Sequence, residues 1–179
     1  MTINALSKCL LAGLAACFTA IPATARFDPG TYDLLRLVES YGVDIRFNTA
    51  VCDGTKHGAF KVTQGLPILS LCIDPDNITA DDHDTVRHEV WHYIQYCRTP
   101  ASSTVLHPLL KDRAKYDELI HYGLSGFTID SIRSDYPDDH ELVELEAFAA
   151  AELLSAKFIG ETVVDHCTPI RTNRPIEGA

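Results

Sequence analysis

The chain has 179 residues, 46% of them hydrophobic and 22% charged, with a formal net charge of −10 and a sequence pI near 5.1. Such a composition is globular and long enough for one packed domain, while the acidity argues against a nucleic-acid partner, which would call for a basic face. No internal repeat and no low-complexity segment interrupts it.

Residues 1–25 read as a secretory signal peptide. A single charge, Lys8, precedes the apolar run Cys9 to Phe18, and Ala23-Thr24-Ala25 supplies small residues before Arg26 opens a polar region. The apolar run is too short for a comfortable membrane span, and no later stretch approaches one, so no transmembrane helix is expected in the mature chain. Cleavage near Ala25 would leave a secreted or periplasmic single domain, residues 26–179. The alternative is a lipoprotein: Leu14-Ala15-Ala16-Cys17 resembles a lipobox, which would anchor the protein through Cys17.

Asp33 to Tyr41 spaces Leu34, Leu35, Leu37 and Val38 as a short helix that Gly42 closes. Val43 to Phe47 alternates like a strand. Ala59 to Val62 and Ile68 to Ile73 look like two more, parted by Gln64-Gly65-Leu66-Pro67, and Asp74-Pro75-Asp76-Asn77 ends the sheet. A helix of about four turns follows, with capping candidates and negative charge in Asp81 to Val86, an apolar side of Val86, Val90, Tyr93, Ile94 and Cys97, and Pro100 as its stop. Helical stretches near Leu109 to Tyr122 and Gly126 to Ser134 precede a last helix, Glu141 to Leu154. A small N-terminal sheet followed by helices is an α+β order.

In the middle of the four-turn helix stands His88-Glu89-Val90-Trp91-His92, an HExxH arrangement. Residues four apart share a helix face, so His88 and His92 can bind one metal ion, and Glu89 can act as general base toward the water the metal activates. A third protein ligand is required. A third His six residues after the second, behind a Gly, is absent: Gln95 and Arg98 occupy those positions. A Glu from the last helix is the other source. On a wheel of about 100° per residue, Glu141, Glu144 and Glu152 fall on one side, and Glu146 falls among Leu142, Ala149, Ala150 and Leu153. A carboxylate on an apolar face is costly without a partner, either a metal or a Lys or Arg. The expectation is that Glu146 is the third ligand, with Glu144 in reserve.

His88-Glu89-x-x-His92-x-x-Gln95 together with Glu144-x-Glu146-Ala147 resembles the small gluzincin-type zincin metallopeptidase domains of bacteria and phage. The resemblance covers the middle and later parts of the mature chain. It implies a zincin-like fold, Zn2+ held by His88, His92 and Glu146, and Glu89 as catalytic base. It also implies an edge strand before the active helix that receives the substrate backbone by strand addition, a place that Ile68 to Ile73 occupies here. The expected activity is hydrolysis of a peptide or protein substrate. Two other readings stand beside it: a zinc-binding module without catalysis, and an envelope binding or scaffold domain.

Four cysteines lie beyond Ala25: Cys52, Cys72, Cys97 and Cys167. An even number in an exported chain suggests two disulfides. Cys52 and Cys72 bracket the hairpin region, which favours Cys52–Cys72 with Cys97–Cys167. No CxxC pair supports a cysteine-zinc site. Tyr136 is the candidate for stabilising an oxyanion, with Tyr122, His121 and His140 as rivals. Gln95 is placed to hydrogen-bond a neighbouring helix, and Trp91, the one Trp, to pack in the core.

Overall fold

Asp28 starts the first helix. Its carboxylate accepts from Thr31 N and Thr31 Oγ1, and Pro29 sits at the first helical position, where its missing N–H costs nothing. Helix α1 therefore begins earlier than its leucines suggest, at Pro29, and runs to Ser40. The computed structural model describes residues 27–52, 57–74, 77–101, 103, 105–136 and 138–170; the expected signal peptide, with Cys17, lies outside them.

Three strands follow, β1 (Asp44–Phe47), β2 (Gly58–Thr63) and β3 (Leu66–Leu71). Gln64 and Gly65 turn β2 into β3 with φ of 53° and 78°, the left-handed pair that a two-residue hairpin turn needs. Leu66 and Pro67, expected in the turn, already pair with Thr63 and Val62. The sheet order is β1-β3-β2, with β1 parallel and β2 antiparallel to β3. The expectation for Ile68 to Ile73 is corrected here: this segment is the central strand, with partners on both sides, and cannot receive a further chain. Its five residues from Pro67 to Leu71 are all buried, as a central strand under helices requires.

Helix α2 spans Ala80–Arg98. Its start is fixed by a reciprocal capping box, Thr79 Oγ1 accepting from Asp82 N at 3.3 Å and Asp82 Oδ2 accepting from Thr79 N at 2.6 Å. Four helices follow: α3 (Arg113–Gly123), α4 (Gly126–Asp135), α5 (Asp138–Leu153) and α6 (Ala156–His166). The last was not expected as a separate element. Ser155 caps it, accepting from Phe158 N at 3.2 Å. The chain is thus α+β, with a three-stranded sheet and six helices among the described residues.

The main core gathers Leu34, Val38, Leu69, Leu71, Val90, Ile94, Ala147, Ala150, Ile159 and Val163 from the sheet and helices α1, α2, α5 and α6. Each fully buried Leu, Ile or Val there contributes about 1.5–3 kcal/mol. A second cluster, Tyr116, Ile120, Ile132, Leu145 and Ala149, packs α3 and α4 on the other side of α5. Helix α5 is thereby buried on two faces. The disulfides are Cys52–Cys72 and Cys97–Cys167, the favoured pairing; the second ties the end of α2 to the end of α6. Among the described residues no helix is long and apolar enough to cross a membrane.

Candidate metal centre

Helix α2 carries His88, Glu89 and His92 into a cleft of about 1350 Å³ walled by β2, α5 and residues such as Pro100, Ser103 and Leu106 that follow α2. The four-residue spacing stacks the two imidazoles edge to face, with ring centroids 4.6 Å apart and His92 Nε2 3.0 Å from His88 Nε2. The same spacing on α5 sends Glu144 and Phe148 to meet them. Phe148 packs on the His88 ring at 4.3 Å. Glu144 lies 3.3 Å from His88 Nε2 and 3.5 Å from His92 Nε2.

These three side chains can hold a metal ion. Ligand atoms about 2.0–2.1 Å from a tetrahedral zinc stand about 3.3 Å from one another; here the two Nε2 atoms are 3.0 Å apart, and they face different oxygens of the carboxylate, His88 Nε2 at 3.3 Å from Glu144 Oε2 and His92 Nε2 at 3.5 Å from Glu144 Oε1. Two imidazole nitrogens at 3.0 Å otherwise require a shared proton between their lone pairs. Glu144 Oε2 lies within ion-pair distance of His88 yet makes no hydrogen bond, an exposed need in a side chain only 13 % accessible.

The electrostatics of the cluster follow from its burial. For Glu144, burial raises the pKa, but the close approach of His88 and His92 outweighs it and brings the pKa to about 2. For His92, burial lowers the pKa, but the Glu144 carboxylate, with Glu89 and Gln95, turns the net shift upward. Glu89 is raised, chiefly by burial, against the pull of the two histidines. Its Oε2 has no hydrogen-bond partner. Its side chain lies against Gly58 of β2, where an added Cβ would stand 2.7 Å from Oε1.

Glu146, expected as the third ligand, is elsewhere, and this expectation is corrected. Two residues along a helix is about 200° of turn, so Glu144 and Glu146 leave α5 on opposite sides. Glu146 is fully buried and accepts from Trp91 Nε1, Gln95 Nε2, Leu109 N and Leu110 N at 2.7–3.1 Å. The partner that an apolar face demanded is a set of four N–H groups, not an ion. Glu144, the reserve, stands with the histidines.

Tyr136 lines the cleft together with His140, whereas His121 and Tyr122 are on the exposed side of α3. Burial, with the Glu144 and Glu89 charges adding to it, pushes the Tyr136 phenol up to about 12, so it keeps its proton at neutral pH. Gln95 donates to Val143 O on α5, as its position suggested. His83, without a motif around it, clamps α2 to α1 through Thr31 Oγ1 at 3.1 Å and Asp28 at 2.8 Å. Gly58 and Phe148 carry no sequence signal of a site and were not anticipated. Comparison with known protein families, with curated proteins and with solved structures finds no match for this chain.

Proposed function

We propose that the protein is an exported zinc-dependent peptidase of the zincin kind, with zinc held by His88, His92 and Glu144 and with Glu89 as general base. The carrying observation is the convergence of two imidazole Nε2 atoms and the Glu144 carboxylate within 3.0–3.5 Å of one another, beside a buried carboxylate of raised pKa. Zinc suits two imidazoles and a carboxylate, and when bound it supplies the Lewis acidity that activates water and polarises a carbonyl.

The chain's own groups account for the rest. Glu89, its free oxygen facing no donor, takes a proton from the attacking water and passes it to the leaving amine. A raised pKa suits both transfers, because the same group must accept and then release at neutral pH. Tyr136, protonated and on the cleft wall, donates toward the developing oxyanion. Strand β2 supplies the edge that β3 cannot. Among the described residues its outer side pairs with no strand, and Gly58 to Val62 line the cleft. An extended peptide laid along β2 would pass Glu89, which supports a peptide as substrate. Two disulfides are compatible with an extracellular location and so with the export reading.

The test is elemental mass spectrometry on protein purified without added metal, followed by digestion of a peptide library. About one zinc per chain, and cleavage lost in Glu89→Gln with zinc retained, is the expected result. A fully active Glu89→Gln protein, or no metal even after zinc is offered, would end this reading.

A further inference from the structure

Glu146 is free of the metal cluster, yet it is joined to it by one side chain. Gln95 Nε2 donates to Glu146 Oε2 at 2.8 Å and to Val143 O at 3.0 Å, and Gln95 Oε1 lies 2.7 Å from His92 Nδ1. Both oxygens facing the Gln95 nitrogen are acceptors. Turning the amide over would aim its carbonyl at a carboxylate and a peptide oxygen, so the orientation shown is the one the surroundings allow. A carbonyl oxygen only accepts. His92 Nδ1 must therefore carry hydrogen, and the lone pair of the neutral ring is left on Nε2, the atom turned toward His88 and Glu144.

We propose that Glu146 is a positioning residue: acting through Gln95, it fixes His92 as the Nδ1–H tautomer and so keeps Nε2 as the donor atom. This rests on the reading of His88, His92 and Glu144 as a metal site. Glu146 is suited to the role because it is itself immobile. Trp91 Nε1 reaches it from the turn of α2 that carries His92, and Leu109 N and Leu110 N hold its two oxygens from the loop ahead of α3. With Glu146 removed, only Val143 O opposes an amide flip. The flipped amide would offer N–H to Nδ1 and drive the ring proton onto Nε2, where it competes with a metal. His88 has no such device, since its Nδ1 has no partner. The two histidines are therefore unequal, and His88 is an internal control.

The experiment is nitrogen-15 NMR of the imidazoles in metal-free protein, at a pH where His92 is neutral, paired with zinc affinity from competition with a chromophoric chelator. Glu146→Gln should move His92 away from the Nδ1–H form, weaken zinc binding about 10- to 100-fold, and leave the His88 tautomer unchanged. Gln95→Leu breaks the link while Glu146 keeps Trp91 and both loop amides, so it serves if Glu146→Gln does not fold. It should give the same two changes. A folded Gln95→Leu protein with the wild-type His92 tautomer and wild-type zinc affinity would overturn the proposal and leave the metal site standing. A tautomer shift in a protein that takes up no zinc would uphold the positioning role and end the metal reading instead.

Discussion

Gly58→Ala is the sharpest test of Glu89 as the proposed base, because it displaces that side chain without replacing it. A Cβ built on Gly58 falls 2.7 Å from Glu89 Oε1, 2.8 Å from Cγ and 3.0 Å from Cδ, whereas ordinary contact begins at 3.4 Å. Rotating the terminal oxygens relieves only the first overlap; the one at Cγ remains, so the whole side chain must retreat by about 0.6 Å. A displacement near 1 Å can cost about 100-fold in rate; the expected loss in kcat for Gly58→Ala is therefore about 10- to 100-fold. Gly58 is not among the residues of positive φ, so the new methyl meets no backbone penalty. Gly to Ala at a compatible position even adds about 0.4–1 kcal/mol by restricting the unfolded chain, which offsets part of the clash. The assay is kcat and KM on a peptide that the wild-type protein cleaves, with zinc content measured on the same samples. Zinc near one per chain with depressed kcat is the expected pattern. Unchanged kcat, or an effect on KM alone, would show that Glu89 does not act from its seat against β2.

Removing Cys97–Cys167 by paired alanines should cost more than removing Cys52–Cys72. The sequence separations are 70 and 20 residues, and loop-closure entropy then gives about 4 against about 3 kcal/mol, readable in urea unfolding. Equal or reversed losses would count against the entropic account. Tyr136→Phe should lower kcat about 100- to 1000-fold, the range for loss of one oxyanion donor, with zinc affinity unchanged; a lost affinity and intact kcat would remove Tyr136 from the chemistry. Burial raises Tyr93 and Tyr136 from 10.0 to about 12. The folded state then holds protons that the unfolded chain releases, so this stability is whole below about pH 10 and falls as pH rises toward 12. A urea midpoint that stays flat from pH 9 to 12 would contradict it, and Tyr93→Phe should shallow the fall.

Where the physics is local, the chain displays it openly. The HExxH spacing on a capped helix, the strand segments and the cysteines flanking the hairpin all act over a few residues, and the structure places them as expected, although burial does not alternate along any of the three strands. Topology is different. Val43 to Phe47 and Ile68 to Ile73 look alike as strands, and nothing local says that β1 enters beside β3 in parallel and makes it central. The fate of Leu109 and Leu110 is similarly hidden. They resemble the opening of α3, but their amides are drawn off to Glu146 and the helix starts at Arg113 behind the Asp112 cap. Helix α6 was readable from Ser155 and the spacing of Ile159 and Val163, once Leu154 and Ser155 are taken as a break.

The exchange of Glu146 for Glu144 has a physical cause in α5. A helical wheel ranks positions well when one face is wet and the other dry. Helix α5 has the sheet-side core against Ala147 and Ala150, and the α3–α4 cluster against Leu145 and Ala149. Glu144 therefore shares the wheel's polar side with Glu141 and Glu152 although it is largely buried against His88 and His92 in the cleft. The wheel placed Glu146 correctly as buried, and the inference that a buried carboxylate needs a strong partner held as well. What failed was the identity of that partner, because backbone N–H groups from a loop leave no trace in side-chain pattern. The two carboxylates divide the work by what surrounds them. Glu146 is already partnered at both oxygens, Oε2 by Trp91, Gln95 and Leu109 and Oε1 by Leu110, and is fully buried away from the histidine pair. Glu144, with an oxygen that finds no hydrogen bond, has capacity for an ion. Satisfaction rather than burial is what separates a structural carboxylate from a candidate ligand, and at this site the two differ by two residues of sequence.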